Sequence, residues 1–286
     1  MLEAGNPVRR ALVLSGGGSK GQYHVGALRH MLGDLKREYH IVTGVSVGAL
    51  IGGFIAMYRI GNEVKCAAEL EALFAEVENK HIWKHWFLFR RFAGLWKSSF
   101  LNSAPLQQLV AEKLDTKAIR ASGCELRVGA VNLATGQYRV FDQTHIPLDK
   151  AILASASFPT MFNPVQMNGA LWTDGGVRTV TPLGAAIKAG ATEIDVLLCA
   201  PQDPLVNLRA APNALDMALR ALQLLLDEVM DEDLKICQLY NQLAAAGVSN
   251  KAHIPVRVIR PKAPVNEDSL HFDRKEAKRI REVGYR

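Results

Sequence analysis

Two stretches in which a short apolar strand pattern runs directly into glycines and then into a helical pattern constrain the fold most. Residues 12–21 read LVLSGGGSKG, and residues 42–48 read VTGVSVG. Further apolar runs alternate with helical periodicity along the chain, which is typical of a parallel sheet with helices on both faces. The sequence therefore predicts an α/β fold: a three-layer sandwich with a mainly parallel central sheet.

Hydrophobic periodicity and turn residues give a coarse map of the elements. Strands are predicted at 11–15, 40–43, 125–133, 137–141, 193–199 and 254–259. Helices are predicted at 20–36, 46–60, 63–78, from about 103 to 114, and at 147–156, 182–190, 212–246 and 272–282. No linker rich in Pro, Gly or Ser interrupts the pattern, so we expect a catalytic core over residues 8–200 and a C-terminal extension over 201–286 packed on the same domain.

The composition and the apolar runs indicate which cofactors and which cellular compartment to expect. With 286 residues, 49% of them hydrophobic, the chain can bury a large core without disulfides. The four cysteines are widely spaced, with no Cys-x-x-Cys and no paired His/Cys spacing, so we expect reduced thiols, no metal site and no cofactor. No apolar run reaches the ~18–20 residues of a membrane span, and the run after Arg9-Arg10 is shorter than a signal-peptide core. We expect a cytoplasmic protein, peripheral to a membrane at most.

Ser46 is the predicted nucleophile, because it lies in Gly44-x-Ser46-x-Gly48 between a strand and a helix. A side chain on such a sharp turn has neighbouring chain packed on both flanks, and glycine at the −2 and +2 positions leaves the room required. The turn also places Ser46 at a helix N-terminus, where unpaired backbone N–H groups favour developing negative charge.

Two further motifs complete the parts of a serine acyl hydrolase. Gly16, Gly17 and Gly18 follow a strand, and adjacent glycines let successive N–H groups converge on one point, as an oxyanion hole requires. Asp174 ends a short strand and is followed by Gly175 and Gly176, which clear space around its carboxylate.

These motifs, with ASASFP at 154–159 and Phe162-x-Pro164, resemble the patatin-like phospholipases in order and spacing over about residues 10–200. The resemblance implies a lipid acyl hydrolase of phospholipase A or lysophospholipase type, with a Ser46–Asp174 dyad and an oxyanion hole at Gly16 to Gly18. One departure is that Val180-Thr181-Pro182 stands where the family commonly has Asn-x-Pro.

Three other interpretations of these motifs compete with this one. Gly16-x-Gly18-x-x-Gly21 also fits a dinucleotide fingerprint, but the second strand ends in Val42-Thr43-Gly44 without the acidic residue that binds ribose. A Ser-Asp-His triad would need His253 or His271, neither of which lies in a motif-like context. A lipid-binding or regulatory protein of low catalytic activity on the same scaffold is the alternative function.

The segment 80–101 suggests a membrane contact. It combines aromatic and basic side chains and contains no acidic residue, a composition that suits the head-group region of an anionic bilayer. A core-packed cap over the active site is the competing interpretation. The net charge of +6 favours anionic surfaces, but no recognition motif supports nucleic-acid binding. The predicted membrane contacts are Trp83, Trp86, Arg90, Arg91, Trp96 and Lys97.

Overall fold

The computed structural model describes residues 8–85, 98–202, 214–248, 252–266 and 269–286. Its strands are β1 (Arg10–Leu14), β2 (Ile41–Gly44), β3 (Glu125–Asn132), β4 (Tyr138–Asp142), β5 (Val165–Met167), β6 (Ala170–Asp174), β7 (Glu193–Leu197) and β8 (Val256–Ile259). They form one eight-stranded sheet in the order β5-β6-β3-β2-β1-β7-β8, with β4 paired to β3. The five strands β3, β2, β1, β7 and β8 are parallel, and β4, β5 and β6 add antiparallel pairings at one end.

Ten α-helices are present in the described residues. They are α1 (Gly21–Leu28), α2 (Val47–Ile55), α3 (Glu63–Glu76), α4 (Asn79–Ile82), α5 (Ala104–Lys113), α6 (Thr116–Ala121), α7 (Leu148–Ser155), α8 (Leu183–Lys188), α9 (Ala214–Ala245) and α10 (Arg274–Tyr285). Helix α1 continues into a π-helical turn at Arg29–Asp34. Within this part of the chain, no helix combines the length and the apolar composition that a membrane crossing requires.

The sheet is covered on both faces, which confirms the predicted three-layer α/β class. Alternate residues of β1 point to opposite faces: Leu12 and Leu14 join the core under α1, α2 and α3, whereas Ala11 and Val13 join the core under α8 and α9. Because both faces are buried at the centre of the sheet, β1 and β2 are buried at nearly every position rather than alternating between buried and exposed residues.

Strands β5 and β6 form a hairpin, of which the sequence indicated β6 but not β5. Strand β5 has three residues, too few to show a period-2 pattern, and the turn between the strands is Asn168-Gly169 with both residues at positive φ. This hairpin matters because β6 ends at Asp174.

The C-terminal part of the chain packs closely against the core. Strand β8 extends the sheet by pairing with β7, and α10 packs along α1. At their contact, a Cβ added to Gly26 would lie 1.9 Å from the carbonyl oxygen of Arg281, so the two helix backbones touch there. The predicted boundary at residue 200 stays a prediction.

A buried carboxylate holds the last two parallel strands and the loop before β2 together. Asp195 of β7 is 1% exposed and receives hydrogen bonds from Tyr39 Oη at 2.5 Å, from Arg37 Nε at 2.5 Å and from both Arg257 Nε and Nη2, at 2.9 and 3.0 Å. Burial, followed by the charge of Asp195, raises the pKa of Tyr39. Two arginines and a tyrosine therefore share this one carboxylate, and Arg37 Nη2 lies in addition 3.9 Å from Glu193 Oε1.

We expect Asp195→Asn to lower the free energy of unfolding by about 3 kcal/mol, because removing one charge of a buried ion pair leaves the others uncompensated. The partial exposure of Arg37 and Arg257 places this value at the lower end of the range for such pairs. Urea denaturation followed by circular dichroism measures it. Glu228→Gln, which breaks an exposed pair with Lys235, is the matched control and should cost less than about 1 kcal/mol. Equal losses in the two variants would contradict this interpretation.

Candidate active site

Ser46 lies on a strained turn between β2 and α2. Its backbone has φ 59° and ψ −128°, an unusual conformation for a residue other than glycine. A Cβ added to Gly44 would lie 2.2 Å from the carbonyl oxygen of Gly48, and one added to Gly48 would lie 2.4 Å from that of Leu14. Glycine is required at both positions, as predicted, because the backbones are in contact there. Ser46 between them is half-buried, with its side chain projecting from the end of the sheet.

Strand β6 brings Asp174 to this turn from the opposite direction. On β3, Val128 pairs with Gly44 of β2, and Ala130, two residues further on, pairs with Asp174 of β6. Two residues of strand are about 7 Å. Since β2 runs parallel and β6 antiparallel to β3, the carboxyl-terminal ends of β2 and β6 meet head to head along one edge of β3. The structure therefore brings the two predicted residues Ser46 and Asp174 together.

The Asp174 carboxyl is buried and has one unused oxygen. Oδ1 accepts the Gly176 N–H at 2.7 Å, whereas Oδ2 is buried without a hydrogen-bond partner among the described residues. Burial raises the pKa of Asp174 to about 7, although the nearby Ser46 hydroxyl and the Gly176 N–H favour the ionised form. A carboxyl with this pKa can accept and return a proton near neutral pH. Gly175 packs directly on the Gly129 carbonyl, where a Cβ would lie 2.4 Å from the oxygen.

The glycine loop lies beside Ser46. A Cβ added to Gly16 would lie 3.2 Å from the Ser46 Cβ. The Gly16 N–H is already donated to the Val180 carbonyl at 3.2 Å, while the N–H groups of Gly17 and Gly18 have no backbone acceptor in the described part of the chain. The same holds for the Val47 N–H at the start of α2. The N–H groups of Gly17, Gly18 and Val47 are thus free of backbone acceptors among the described residues.

Two serines, at the end of α7 and just after it, support the pair. Ser155 Oγ, at the end of α7, accepts the Ser46 N–H at 3.1 Å. The Ser157 carbonyl accepts the Asp174 N–H at 3.0 Å and the Thr173 hydroxyl at 2.7 Å. Both serines are buried. They belong to the ASASFP segment, whose resemblance to the family was the available signal.

A cavity of about 440 Å³ opens between Ser46 and the helices above the sheet. Ser46, Asp174 and the three loop glycines line it. One part of its wall, the apolar arm, consists of side chains from α2, α3 and α5, namely Leu50, Phe54, Leu73, Phe74, Leu106, Leu109 and Val110. The volume is within the ~300–1,000 Å³ typical of small-molecule sites.

None of the described residues that line the cavity is a histidine. Buried His24 contacts the Sγ of Cys199 through Nε2 at 3.2 Å, and burial lowers its pKa to about 3, so the ring is neutral. Over the described residues, no three His, Cys, Asp or Glu side chains are placed to hold a metal ion.

Of the predicted membrane contacts, only Trp83 is among the described residues. It is half-buried, and its indole N–H donates to the Leu270 carbonyl at 3.2 Å, in a chain segment that lines the cavity. Trp86, Arg90, Arg91, Trp96 and Lys97 lie outside the described residues. The membrane contact of this segment stays a prediction.

The loop after Asp174 is held by α9. Asp233 Oδ2 accepts the Thr181 N–H at 3.1 Å, and the Val180 N–H also donates to this carboxyl. Burial raises the pKa of Asp233 to about 6. Because the Val180 carbonyl in turn accepts the Gly16 N–H, Asp233 connects α9 through this loop to the glycine loop. Sequence reasoning missed Asp233; the available signal was the departure at Val180, where the family commonly has asparagine.

Comparisons with known proteins show the family of this chain. The model of the Patatin-like phospholipase family matches residues 12–187. A cGAMP-activated phospholipase from Pseudomonas aeruginosa is 30% identical over 215 residues, which cover 72% of this chain and 62% of the relative. An uncharacterized NTE family protein from Mycobacterium tuberculosis is 27% identical over 188 residues, covering 64% of this chain and 48% of the relative.

The chain therefore spans about half to three fifths of the length of these curated relatives. The structure of VipD from Legionella pneumophila superposes on 98% of this chain and 66% of that protein, with 13% identity and a TM-score of 0.43. On the family match, which extends from β1 into α8 and includes the serine turn and the aspartate, this chain belongs to the patatin-like phospholipase family.

Proposed function

We propose that this protein is a lipid acyl hydrolase, a serine carboxylic-ester hydrolase of phospholipase A or lysophospholipase type. The observation that carries the proposal is the meeting of Ser46, on its strained turn, with the buried and half-satisfied Asp174 at the wall of an apolar cavity. An apolar arm beside an activated hydroxyl suits an ester whose acyl part is a hydrocarbon chain.

In the first half of the reaction, Ser46 Oγ attacks the ester carbonyl carbon and transfers its proton to Asp174 Oδ2, the oxygen without another partner. The N–H groups of Gly17, Gly18 and Val47 stabilise the negative carbonyl oxygen, and a well-placed donor of this kind is worth about 3–4 kcal/mol. As the C–O bond of the ester breaks, Asp174 returns the proton to the leaving alcohol oxygen.

The second half repeats these roles with water. Asp174 accepts a proton from water, the hydroxide oxygen attacks the acyl carbon, and the proton returns to Ser46 Oγ as the fatty acid leaves. The apolar arm holds the acyl chain throughout, and its hydrocarbon walls exclude bulk water from the dyad.

Replacing the nucleophile tests this proposal directly. We expect Ser46→Ala to abolish ester hydrolysis and labelling by a fluorophosphonate, because no hydroxyl remains to form the acyl-enzyme. Gel-based labelling and a fatty-acid release assay measure the two properties, and Ser122→Ala, on the remote end of α6, is the matched control. An unlabelled but folded wild type would favour the alternative, a lipid-binding protein of low activity. Hydrolysis retained in Ser46→Ala would overturn the assignment of the nucleophile.

The base can be identified by its pH dependence. Since the pKa of Asp174 is about 7, the reactive carboxylate form is lost as the pH falls below 7, so kcat/KM should fall roughly tenfold per pH unit well below that value. Asp174→Asn should lower kcat by about 10²–10⁴ and remove this dependence. A comparable loss in His253→Gln or His271→Gln would indicate a triad instead.

Asp233 should act as a positioning residue for the glycine loop. Asp233→Ala leaves the Thr181 N–H without its acceptor, and we expect kcat for a soluble ester to fall about tenfold with little change in KM. Asp233→Asn keeps an acceptor oxygen and should restore most of kcat. Steady-state kinetics of both variants, with thermal unfolding as the check on folding, decides this: equal kcat in the alanine variant and the wild type would show that the contact serves only the fold.

A further inference from the structure

Part of the cavity wall beside the glycine loop is polar and takes no part in the reaction described above. It is formed by Lys20, which follows the glycine loop, and by Gln223 and Asp227 of α9. Gln223 and Asp227 are four residues apart on one helix, so both face the same side. We refer to Lys20, Gln223 and Asp227 as the polar subsite.

Lys20 is largely buried, at 8% exposure, and its backbone N–H donates to the Gly17 carbonyl at 3.2 Å. Across the described ranges of the chain, its ammonium group has no hydrogen-bonded or ion-paired partner. An ammonium group on a cavity wall that has no protein acceptor keeps its three donors for whatever occupies the cavity. The position of this charge on the cavity wall therefore favours an anionic group in the cavity as its partner.

Asp227 likewise has a polar group without a hydrogen-bond partner among the described residues. This group is the carboxyl oxygen Oδ2, which is buried. Burial raises the pKa of Asp227, while the charges of Lys20 and Arg220 act in the opposite direction, which places the carboxyl within the electrostatic range of both cations. Neighbouring Arg260 is already held by Asp231 and by the carbonyls of Ala200 and Pro201. A cation and a carboxylate thus face the same cavity without forming an ion pair with each other.

We propose that the polar subsite binds the head group of a zwitterionic phospholipid, with the phosphate against Lys20 and the head-group ammonium against Asp227. This inference rests on the proposed function and names its substrate class. Gln223, on the same face of α9 as Asp227, provides an amide that can donate to phosphate or glycerol oxygens.

The groups that line the cavity provide a partner for each part of such a lipid. The acyl chain occupies the apolar arm, the ester carbonyl lies between Ser46 and the N–H groups of Gly17 and Gly18, and the phosphate follows the glycerol towards Lys20, two residues beyond Gly18. The head-group ammonium comes last and reaches Asp227.

Three soluble substrates separate the contribution of the lipid head group from that of the ester. They are dihexanoyl phosphatidylethanolamine, dihexanoyl phosphatidylglycerol and uncharged p-nitrophenyl butyrate. We expect Lys20→Met to lower kcat/KM at least tenfold for both phospholipids and less than twofold for the butyrate, because only the phospholipids carry a phosphate. Lys117→Met, an exposed lysine on α6, is the matched control and should leave all three values unchanged. Equal losses for all three substrates in Lys20→Met would overturn the subsite and place Lys20 in support of the oxyanion.

The carboxylate has its own test in the ratio between the two phospholipids. Asp227→Asn should lower the preference for phosphatidylethanolamine over phosphatidylglycerol at least fivefold, since the amide neither attracts the ammonium nor disfavours the lipid of net negative charge. Glu228→Gln, the adjacent exposed acid on α9, is the control. An unchanged ratio in Asp227→Asn would overturn the assignment of the ammonium position.

Binding distinguishes a failure of this inference from a failure of the proposed function. Calorimetric titration of Ser46→Ala with dihexanoyl phosphatidylethanolamine should show binding that is weakened at least tenfold in Ser46→Ala/Lys20→Met and retained in Ser46→Ala/Lys20→Arg, which keeps the charge. If binding follows this pattern but the wild type hydrolyses nothing, the subsite stands and the hydrolase proposal fails. If the wild type hydrolyses phospholipids and binding ignores Lys20, the subsite fails alone.

Discussion

Everything at the candidate site depends on the backbone contact beneath Ser46. Gly44 faces the Gly48 carbonyl, and Gly48 faces the carbonyls of Leu14 and Ser15, at distances that no Cβ could occupy. Strands β1 and β2 and the first turn of α2 are therefore as close as backbones can pack. That closeness forces the residue between the glycines into its positive φ and directs its side chain away from the sheet. At the same point the N–H of Val47 has no backbone acceptor in the part of the chain that the structure describes, so the proposed nucleophile and one proposed donor to the oxyanion arise from a single constraint.

The aspartate reaches Ser46 through an equally rigid feature, the reversal of strand direction within the sheet. Because β6 runs antiparallel to β3, its carboxyl-terminal end points at the end of β2 rather than away from it. Burial at that junction raises the pKa of Asp174 to about 7, which ties the chemistry of the residue to the packing around it. The neighbouring Tyr138 hydroxyl is buried between two acids, and burial together with the charges of Asp233 and Asp174 raises its pKa as well.

Parts of the chain beyond residue 187, where the family match ends, complete the site. Helix α9 contributes a wall of the cavity and the Asp233 carboxyl that holds Thr181. Ser269 lies against the glycine loop, its carbonyl accepting the Ser19 N–H at 2.8 Å. These contacts hold the loops around Ser46 and Asp174, which gives the C-terminal part of the chain a direct role in shaping the cavity.

The sequence by itself determined the features that depend on local backbone sterics: the alternation of strands and helices, the turn at Ser46, the glycine loop, and the aspartate at a strand end. Each is encoded by residues within a few positions of one another, so glycine placement and hydrophobic period were sufficient. The roles of Ser155, Asp233, Asp195 and Lys20 were decided by the tertiary structure, since each depends on a partner or a cavity wall contributed by distant segments. The distance between Ser46 and Asp174 was decided in the same way, because strand order and register in the sheet, which no local pattern specifies, place the end of β6 against the end of β2.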